Sequence, residues 1–174
     1  FVLQIDDPSM VTRYGYPNPS LSVEEYRKHA EMRVEALNHA LSNIPEEKIR
    51  FHTCWGSQHS PHTTDLPLRH VIDLILKVNA GAYSIESADV RHQLDWKVWE
   101  DVKLPVGKIF TSGVVANKTT TIEPPELVAD RILNFARIMG RENVIAGTDC
   151  GYGGRVYPDI AWAKMRSMAE GARI

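Results

Sequence analysis

Four side chains that commonly bind metal ions occur where short apolar segments of the sequence end. They are His52, Cys54, Glu86 and Cys150. Two thiolates, an imidazole and a carboxylate form a plausible tetrahedral ligand set for Zn²⁺. Cys54, Glu86 and Cys150 lie far apart in the sequence. This spacing excludes a local zinc finger with its close Cys-x-x-Cys pairs but permits a site assembled from several strand ends.

Each of these residues also has a simple structural explanation. A free cysteine often serves as a small buried apolar residue, and a glutamate at a strand end often only faces solvent. His52 and Cys54 are two residues apart, so on a strand their side chains point to the same face. A shared site is favoured only if the fold brings all four residues to one edge.

Five short segments rich in apolar residues are predicted to be buried parallel strands. They cover residues 1–5, 49–54, 82–86, 108–115 and 143–148. Asp6 follows the first segment, and the four metal-binding candidates end or follow the second, third and fifth. Because α/β proteins build their sites at the carboxyl ends of strands, this common edge is the strongest internal signal of function.

Helical patterns separate the predicted strands. The clearest begins at Val23, because Ser22 and Glu25 form a capping box ahead of an apolar stripe. Prolines at the start and Gly140 at the end are typical of the bounds of the fourth helix. The predicted helices cover residues 23–41, 68–78, 90–102, 124–140 and 158–169.

The alternation of strands and helices predicts an α/β fold of parallel strands with right-handed crossovers. No linker, low-complexity tract or charge block marks a boundary, so residues 1–174 are predicted to form one domain. Two architectures fit, an open doubly wound sheet and part of a (β/α)8 barrel. Five units are enough for the first, and periodicity alone slightly favours it.

Three further residues are weaker candidates for substrate binding. His59 and His62 lie on the predicted loop after the second strand, where a solvated histidine is the more frequent case. Arg155 follows a glycine-rich segment that could bind an anion, although it lacks the Lys-Ser/Thr of a phosphate-binding loop. The histidines within helical patterns are predicted to lie at the surface; they are His29, His39, His70 and His92.

Composition limits the classes of protein to consider. The 174 residues are 43% hydrophobic and 24% charged, with a formal net charge of −2, which is ordinary for a packed globular domain. No basic cluster indicates nucleic-acid binding, and no apolar run approaches the roughly 18 residues of a membrane span. Two cysteines and no visible signal peptide favour a cytoplasmic protein over a secreted disulfide framework.

Four short motifs occur in the order Leu3-Gln4-Ile5-Asp6-Asp7-Pro8, His52-Thr53-Cys54, Ser84-Ile85-Glu86 and Asp149-Cys150-Gly151. In this combination the chain resembles, over essentially its whole length, the catalytic domain of the cobalamin-independent methionine synthases. The wider family includes the zinc-dependent epoxyalkane:coenzyme M transferases. The resemblance implies the carboxyl-terminal part of a (β/α)8 barrel and so reverses the preference for an open sheet.

The resemblance also implies an activity. The four metal-binding candidates would hold one catalytic zinc ion, and Asp6 would help to bind an amino-acid substrate. The reaction would be methyl transfer from a methylated folate to the sulfur of homocysteine, as in methionine biosynthesis. Coordination to zinc deprotonates a thiol and so provides the nucleophile. The implied partners are a small-molecule thiol and an alkyl donor, with no nucleic acid and no membrane.

Two positions depart from the family pattern. Asp7 stands where the family has a glutamate, and Lys118 takes the place of a histidine associated with proton delivery to the folate. Lys118 and Asp6 are therefore the predicted catalytic residues. The segment with His59 and His62 is closer to the coenzyme M transferase-like members. Two alternatives follow, an enzyme that opens an epoxide or another activated carbon with a thiol, and a non-catalytic zinc-binding relative.

The chain opens at Phe1, inside an apolar segment. Five β/α units are also three short of a complete barrel. We therefore expect a fragment that lacks the first strands of the barrel, or a half that pairs with another chain or with a second copy.

Overall fold

The computed structural model describes residues 1–12, 21–59, 61–63 and 65–174. Five parallel strands form one sheet, and all five predicted strands are confirmed, with small shifts at their ends. The strands are β1 Leu3–Asp6, β2 Ile49–Thr53, β3 Ala82–Ile85, β4 Ile109–Val115 and β5 Val144–Thr148.

Helices follow the strands along the chain. The predicted capping box is present, because the Glu25 N–H donates to Ser22 Oγ and the Ser22 N–H donates to Glu25 Oε2 at 2.9 Å. No helix in the described part of the chain is long and apolar enough to cross a membrane. The helices are α1 Ser9–Thr12, α2 Val23–Ala40, α3 Ile72–Ile75, α4 Val98–Asp101, α5 Pro125–Met139 and α6 Pro158–Gly171.

Two predicted helices are much shorter than the sequence pattern indicates. In the segment 68–78, Val71 has a φ of −136°, which separates a 3₁₀ turn at Leu68–His70 from α3. In the segment 90–102, i to i+3 backbone bonds form turns at His92 and Asp95, and only α4 is α-helical. In both segments tertiary contacts outweigh the local helical propensity.

The strands pair in the sequential order β1-β2-β3-β4-β5, and every pair is parallel. A doubly wound sheet changes its strand order at a switch point, whereas a barrel does not. With right-handed crossovers, sequential order places the helices on one face of the sheet. The fold is therefore a segment of a (β/α)8 barrel, as the family resemblance implies.

One face of the sheet packs against the helices and is apolar. Its largest side chains are almost fully excluded from solvent, and the ring of Phe110 contacts Trp99 and Phe135 with centroids 4.7 and 5.0 Å away. Most of the core lies between this face and the helices. We call it the helix face, and it consists of Ile49, Phe51, Tyr83, Ile85 and Phe110.

The opposite face carries the alternate residues of the same strands and is mainly polar. Successive side chains of a strand point to opposite faces, so each of these polar residues directly follows an apolar residue of the helix-facing side in the sequence. We call this the polar face, and it consists of Arg50, His52, Ser84 and Thr111.

Candidate metal centre

Three predicted metal ligands converge at the carboxyl edge of the sheet. His52 lies on β2, Cys54 directly follows that strand, and Cys150 follows β5. One ligand atom from each residue lies within 4.8 Å of the other two. Because β3 and β4 separate β2 from β5, this approach requires the sheet to curve toward its polar face, as it does in a barrel. We call these three residues the His–Cys–Cys cluster.

The dimensions of the cluster suit a tetrahedral ion. Zn–S bonds of about 2.3 Å at the tetrahedral angle place two sulfur atoms roughly 3.8 Å apart, and the Sγ atoms of Cys54 and Cys150 are 3.7 Å apart. His52 Nε2 is buried with no hydrogen-bond partner among the described residues, while its Nδ1 lies 3.2 Å from Ser84 Oγ. A metal-bound histidine has this pattern, with one nitrogen on the ion and the other oriented by a neighbour.

The two thiols differ in their proton affinity. A hydrogen bond from the Cys54 thiol, with a further contact from His52, lowers the pKa of Cys150 to about 3. The same contact, together with burial, raises the pKa of Cys54. Cys150 is therefore the thiol of the pair that more readily becomes a thiolate, which is the form of cysteine that binds a metal ion.

Glu86, the predicted fourth ligand, lies outside the His–Cys–Cys cluster. Its side chain is fully buried directly after β3. The Oε2 atom accepts the backbone N–H of Trp55 at 2.9 Å, and the Oε1 atom lies 2.6 Å from the Nζ of Lys118. Oε2 thus accepts a hydrogen bond, whereas Oε1 has an ion-pair contact and no hydrogen bond among the described residues. Neither partner belongs to the cluster.

Lys118, a predicted catalytic residue, reaches this edge from the loop after β4. Its side chain is 7% exposed, and its Nζ also lies 3.4 Å from a carboxylate oxygen of Asp89. Burial lowers the pKa of Lys118, but the carboxylates of Glu86, Asp89 and Asp149 together outweigh burial and raise the pKa above its usual value. The side chain is therefore an ammonium ion held between two carboxylates.

Asp149, next to Cys150, organises the neighbouring loop. Its buried carboxylate accepts the backbone N–H groups of Ser87, Ala88 and Asp89 at 2.8, 2.7 and 2.8 Å. These bonds connect the segment after β5 to the segment after β3. The sequence places Asp149 in a motif, but nothing in the spacing indicates this structural role.

Burial and the nearby charge of Glu86 raise the pKa of Asp149 to about 7, against the opposing effect of its three backbone donors. The carboxylate also requires space in β4. A Cβ at Gly113 would lie 2.0 Å from Asp149 Oδ1, so only glycine fits at that position.

Asn117 connects the loops that carry the two cysteines. Its buried side-chain amide donates to Ser57 Oγ at 2.9 Å and to the carbonyl of Gly151 at 3.1 Å. Ser57 has a positive φ of 46°, which is uncommon for a residue with a side chain. Sequence analysis missed this link, because it depends on contacts between distant loops.

A cavity of 380 Å³ lies beside the cluster on the polar face. His52 and Cys150 line it at one end, and Asp6 lines it together with Gln4 and Arg50. Gln4 donates to Asp6 Oδ1 at 2.7 Å and accepts from Arg50 Nε at 2.7 Å. The structure therefore brings the predicted substrate-binding residue Asp6 into the same cavity as two metal-ligand candidates.

The loop histidines have different surroundings. His59 is exposed. His62 is within hydrogen-bond distance of the Asp65 carboxylate through Nδ1 and of the Gln58 carbonyl through Nε2, both at 3.0 Å. These contacts fold the loop on itself, and neither histidine lines the cavity beside the cluster.

Arg155 lies in a separate groove of 420 Å³. Thr120 and residues 154–158 line this groove, which contains no member of the His–Cys–Cys cluster. The structure thus brings Arg155 to a different surface from the one that carries Asp6.

The prediction that His92 lies at the surface is wrong. The ring is 3% exposed, stacks on Trp55 with centroids 3.7 Å apart, and lies 3.0 Å from Asp65 and 3.1 Å from Asp95. Burial alone lowers the pKa of His92, but the two carboxylates outweigh it and raise the pKa to about 9. We call His92, Asp65 and Asp95 the histidine clasp, and it holds the loop after β2 to the segment before α4.

The fold and the cluster together define a barrel segment with a candidate thiolate metal centre at the carboxyl edge of its strands. The family model described as "Cobalamin-independent synthase, Catalytic domain" matches residues 1–173. The chain therefore belongs to this family, which confirms the resemblance inferred from the motifs.

Among solved structures, the chain is similar to a B12-independent methionine synthase from Shewanella sp. W3-18-1, determined in complex with selenomethionine. The TM-score is 0.72 and the sequence identity is 18%, over 99% of this chain and 47% of that chain. At this identity the match shows the fold alone, and the chain spans about half the length of that relative. No curated protein sequence gives a significant match.

Proposed function

We propose that this chain carries the metal centre of a zinc-dependent thiol S-alkyltransferase, with methyl transfer to homocysteine as the leading reaction. The observation that carries the proposal is the His–Cys–Cys cluster beside a polar cavity at the carboxyl edge of a barrel segment. Membership of the cobalamin-independent synthase family supports the same reaction class.

A bound zinc ion would supply Lewis-acid chemistry that keeps a substrate thiol in its nucleophilic thiolate form at neutral pH. His52 is suited to bind it through Nε2, because its other nitrogen faces Ser84. Cys54 and Cys150 would contribute the two thiolates, which together balance the charge of a divalent ion.

The rest of the cavity would hold the far end of the thiol substrate. Asp6 offers a carboxylate that fits the ammonium group of an amino acid, and Arg50 offers a guanidinium that fits a carboxylate. Homocysteine carries both groups. We therefore propose Asp6 as a substrate-binding residue that orients the thiol relative to the metal.

A second candidate keeps the metal and the thiol and changes the electrophile to an epoxide or another activated carbon. Lys118 favours it, because an ammonium ion stands where the methionine synthases carry a histidine. Assays of homocysteine with a methylated folate, in parallel with other thiols and epoxides, separate the two reactions.

The proposal is tested by metal analysis of the purified full-length protein. We expect one zinc ion per chain in the wild type and its loss in Cys54→Ser and Cys150→Ser. His39→Ala, on the exposed side of α2, is the matched control and should retain the metal. Retention of zinc by both cysteine variants would overturn the proposed centre.

A further inference from the structure

We propose that Lys118 holds the carboxylate of Glu86 away from the metal, so that the His–Cys–Cys cluster supplies all the protein ligands and a fourth position stays open for the substrate thiol. This inference rests on the proposed function, because it assumes that the cluster binds a metal ion. It assigns Lys118 as a positioning residue and gives the centre three protein ligands where the family resemblance implies four.

The Glu86 carboxylate already has contacts outside the cluster. Glu86 Oε2 accepts the backbone N–H of Trp55, and Oε1 lies 2.6 Å from Lys118 Nζ. The Trp55 N–H is fixed by the chain direction immediately after Cys54. To reach a metal ion, Glu86 would have to give up one of these contacts inside a fully buried environment.

Lys118 is almost fully buried, so the loss of its ion pair with Glu86 would be costly. Its side chain is only 7% exposed, and Glu86 and Asp89 are the carboxylates that contact it, at 2.6 and 3.4 Å. Breaking a buried ion pair is costly, because it leaves a charge without compensation in a medium of low polarity. Moving Glu86 to the metal would leave Lys118 with the longer of its two contacts.

The charge balance near the cluster also favours a centre without Glu86. Two thiolates and a neutral imidazole balance a divalent cation, and the Lys118–Glu86 pair is neutral by itself. Adding Glu86 to the ligand set would give the centre a negative charge and would leave the Lys118 ammonium ion only its longer contact to Asp89. In the structure Lys118 balances the charge of Glu86 instead.

An open fourth coordination position would face the cavity beside the cluster. His52 and Cys150 line the 380 Å³ cavity, whereas neither Glu86 nor Lys118 does. Catalytic zinc sites have three protein ligands and one position for water or substrate, whereas structural sites have four. The observed contacts therefore correspond to the catalytic pattern before any substrate arrives.

The test uses the full chain loaded with Co²⁺, whose visible d–d bands report ligand identity and number. We expect Glu86→Gln to keep the band positions of the wild type and to weaken Co²⁺ binding by no more than about 10- to 100-fold, as for loss of a contact outside the ligand set. Cys54→Ser should weaken binding by more than about 100-fold and shift the bands. Co²⁺ bands that shift in Glu86→Gln as they do in Cys54→Ser would overturn the proposal.

Lys118→Met provides the converse test. Release of Glu86 should let it bind the ion, shift the d–d bands and weaken binding of added thiol, measured by the sulfur-to-cobalt charge-transfer band, by at least roughly tenfold. Lys118→Arg, which can keep the ion pair, and the double variant Lys118→Met/Glu86→Gln should both return to wild-type bands. Unchanged bands and unchanged thiol affinity in a folded Lys118→Met protein would contradict the proposal.

The two levels of inference fail differently. If the wild-type chain binds neither Co²⁺ nor Zn²⁺, or if the cysteine variants keep the metal, the proposed function is wrong and this inference is wrong with it. If the cluster binds the metal but Glu86→Gln changes its spectrum, Glu86 is a ligand and only the role of Lys118 is wrong. Circular dichroism of each variant confirms that folded protein is compared.

Discussion

The two faces of the sheet are built from alternate residues of the same strands, yet they have different tasks. On β2, Phe51 is fully buried against the helices, and its neighbour His52 points to the opposite side with an unsatisfied ring nitrogen. On β3, Ile85 packs into the core while Ser84 lies beside His52. A shift of one residue in strand register would turn the apolar side chains toward the cavity and the polar side chains toward the helices. Packing of the helix face therefore also fixes the direction in which the polar side chains point.

The apolar burial on one face of the sheet can offset the desolvation of the polar groups near the other face. The helix face gains free energy from apolar burial, which is roughly proportional to the area removed from water. The polar face holds a buried imidazole, and the strand ends beside it carry two sulfur atoms. These groups repay their desolvation only when an ion binds. Substitutions on the two faces should therefore affect different measurements.

The largest expected effect is on the helix face. Phe51→Ala should lower the free energy of unfolding by about 3–5 kcal/mol, because it removes a fully buried ring and leaves a cavity. The metal affinity of the folded fraction should stay within a factor of about two. Urea unfolding followed by circular dichroism, with metal titration at low urea, measures both. A selective loss of metal binding would show that the two faces are not independent.

The histidine clasp is a polar group that, unlike the His–Cys–Cys cluster, should stabilise the fold without a metal. The folded pKa of His92, about 9, lies above its unfolded value of about 6.5. The contribution to stability is therefore complete below about pH 6.5 and is lost as pH rises through 9, by up to about 3 kcal/mol.

Unfolding free energies of the wild type and of His92→Gln at pH 6 and pH 10 test this expectation. The difference between the two proteins should be large at pH 6 and small at pH 10. His39→Gln, exposed on α2, is the control and should show no such trend. A difference that grows toward pH 10 would mean that His92 is neutral in the folded protein.

Asp149 lies directly after β5, next to Cys150, and should show an intermediate effect. Asp149→Asn replaces one acceptor oxygen by an NH₂ group, so one of the three backbone N–H donors loses its partner inside the protein. We expect a loss of about 2 kcal/mol in unfolding free energy together with weaker metal binding. Asp159→Asn, exposed at the start of α6, is the matched control. Loss of stability with unchanged metal affinity would separate the loop from the site.

The smallest effect on stability is expected on the polar face. In metal-free protein, His52→Ala should change the unfolding free energy by about 1 kcal/mol or less, because loss of the Ser84 contact is offset by removal of a buried unsatisfied nitrogen. Metal uptake should nevertheless be lost. Equal destabilisation by His52→Ala and Phe51→Ala in the absence of metal would erase the distinction between the faces.

The comparison also explains which features the sequence reveals. Strands and long helices follow from local patterns, such as the capping box at Ser22. The three residues of the cluster could be predicted from the sequence, because the carboxyl ends of parallel strands lie at the same edge of the sheet. The Lys118–Glu86 pair and the position of His92 depend on side chains that meet across distant loops, so no local pattern predicts them. The backbone turns that replace most of the predicted helix at 90–102 include the clasp residues His92 and Asp95.

The sequential strand order has a consequence for how the chain folds. Each strand pairs with the strand before it and the strand after it in the sequence, so no pairing in the described sheet waits for a distant element. The sheet can grow by one β/α unit at a time, and the loop closed at each step has moderate length. The metal centre is different, because Cys150 meets Cys54 only after β5 has joined. We therefore expect the His–Cys–Cys cluster to form last, after the core that orients its side chains has formed.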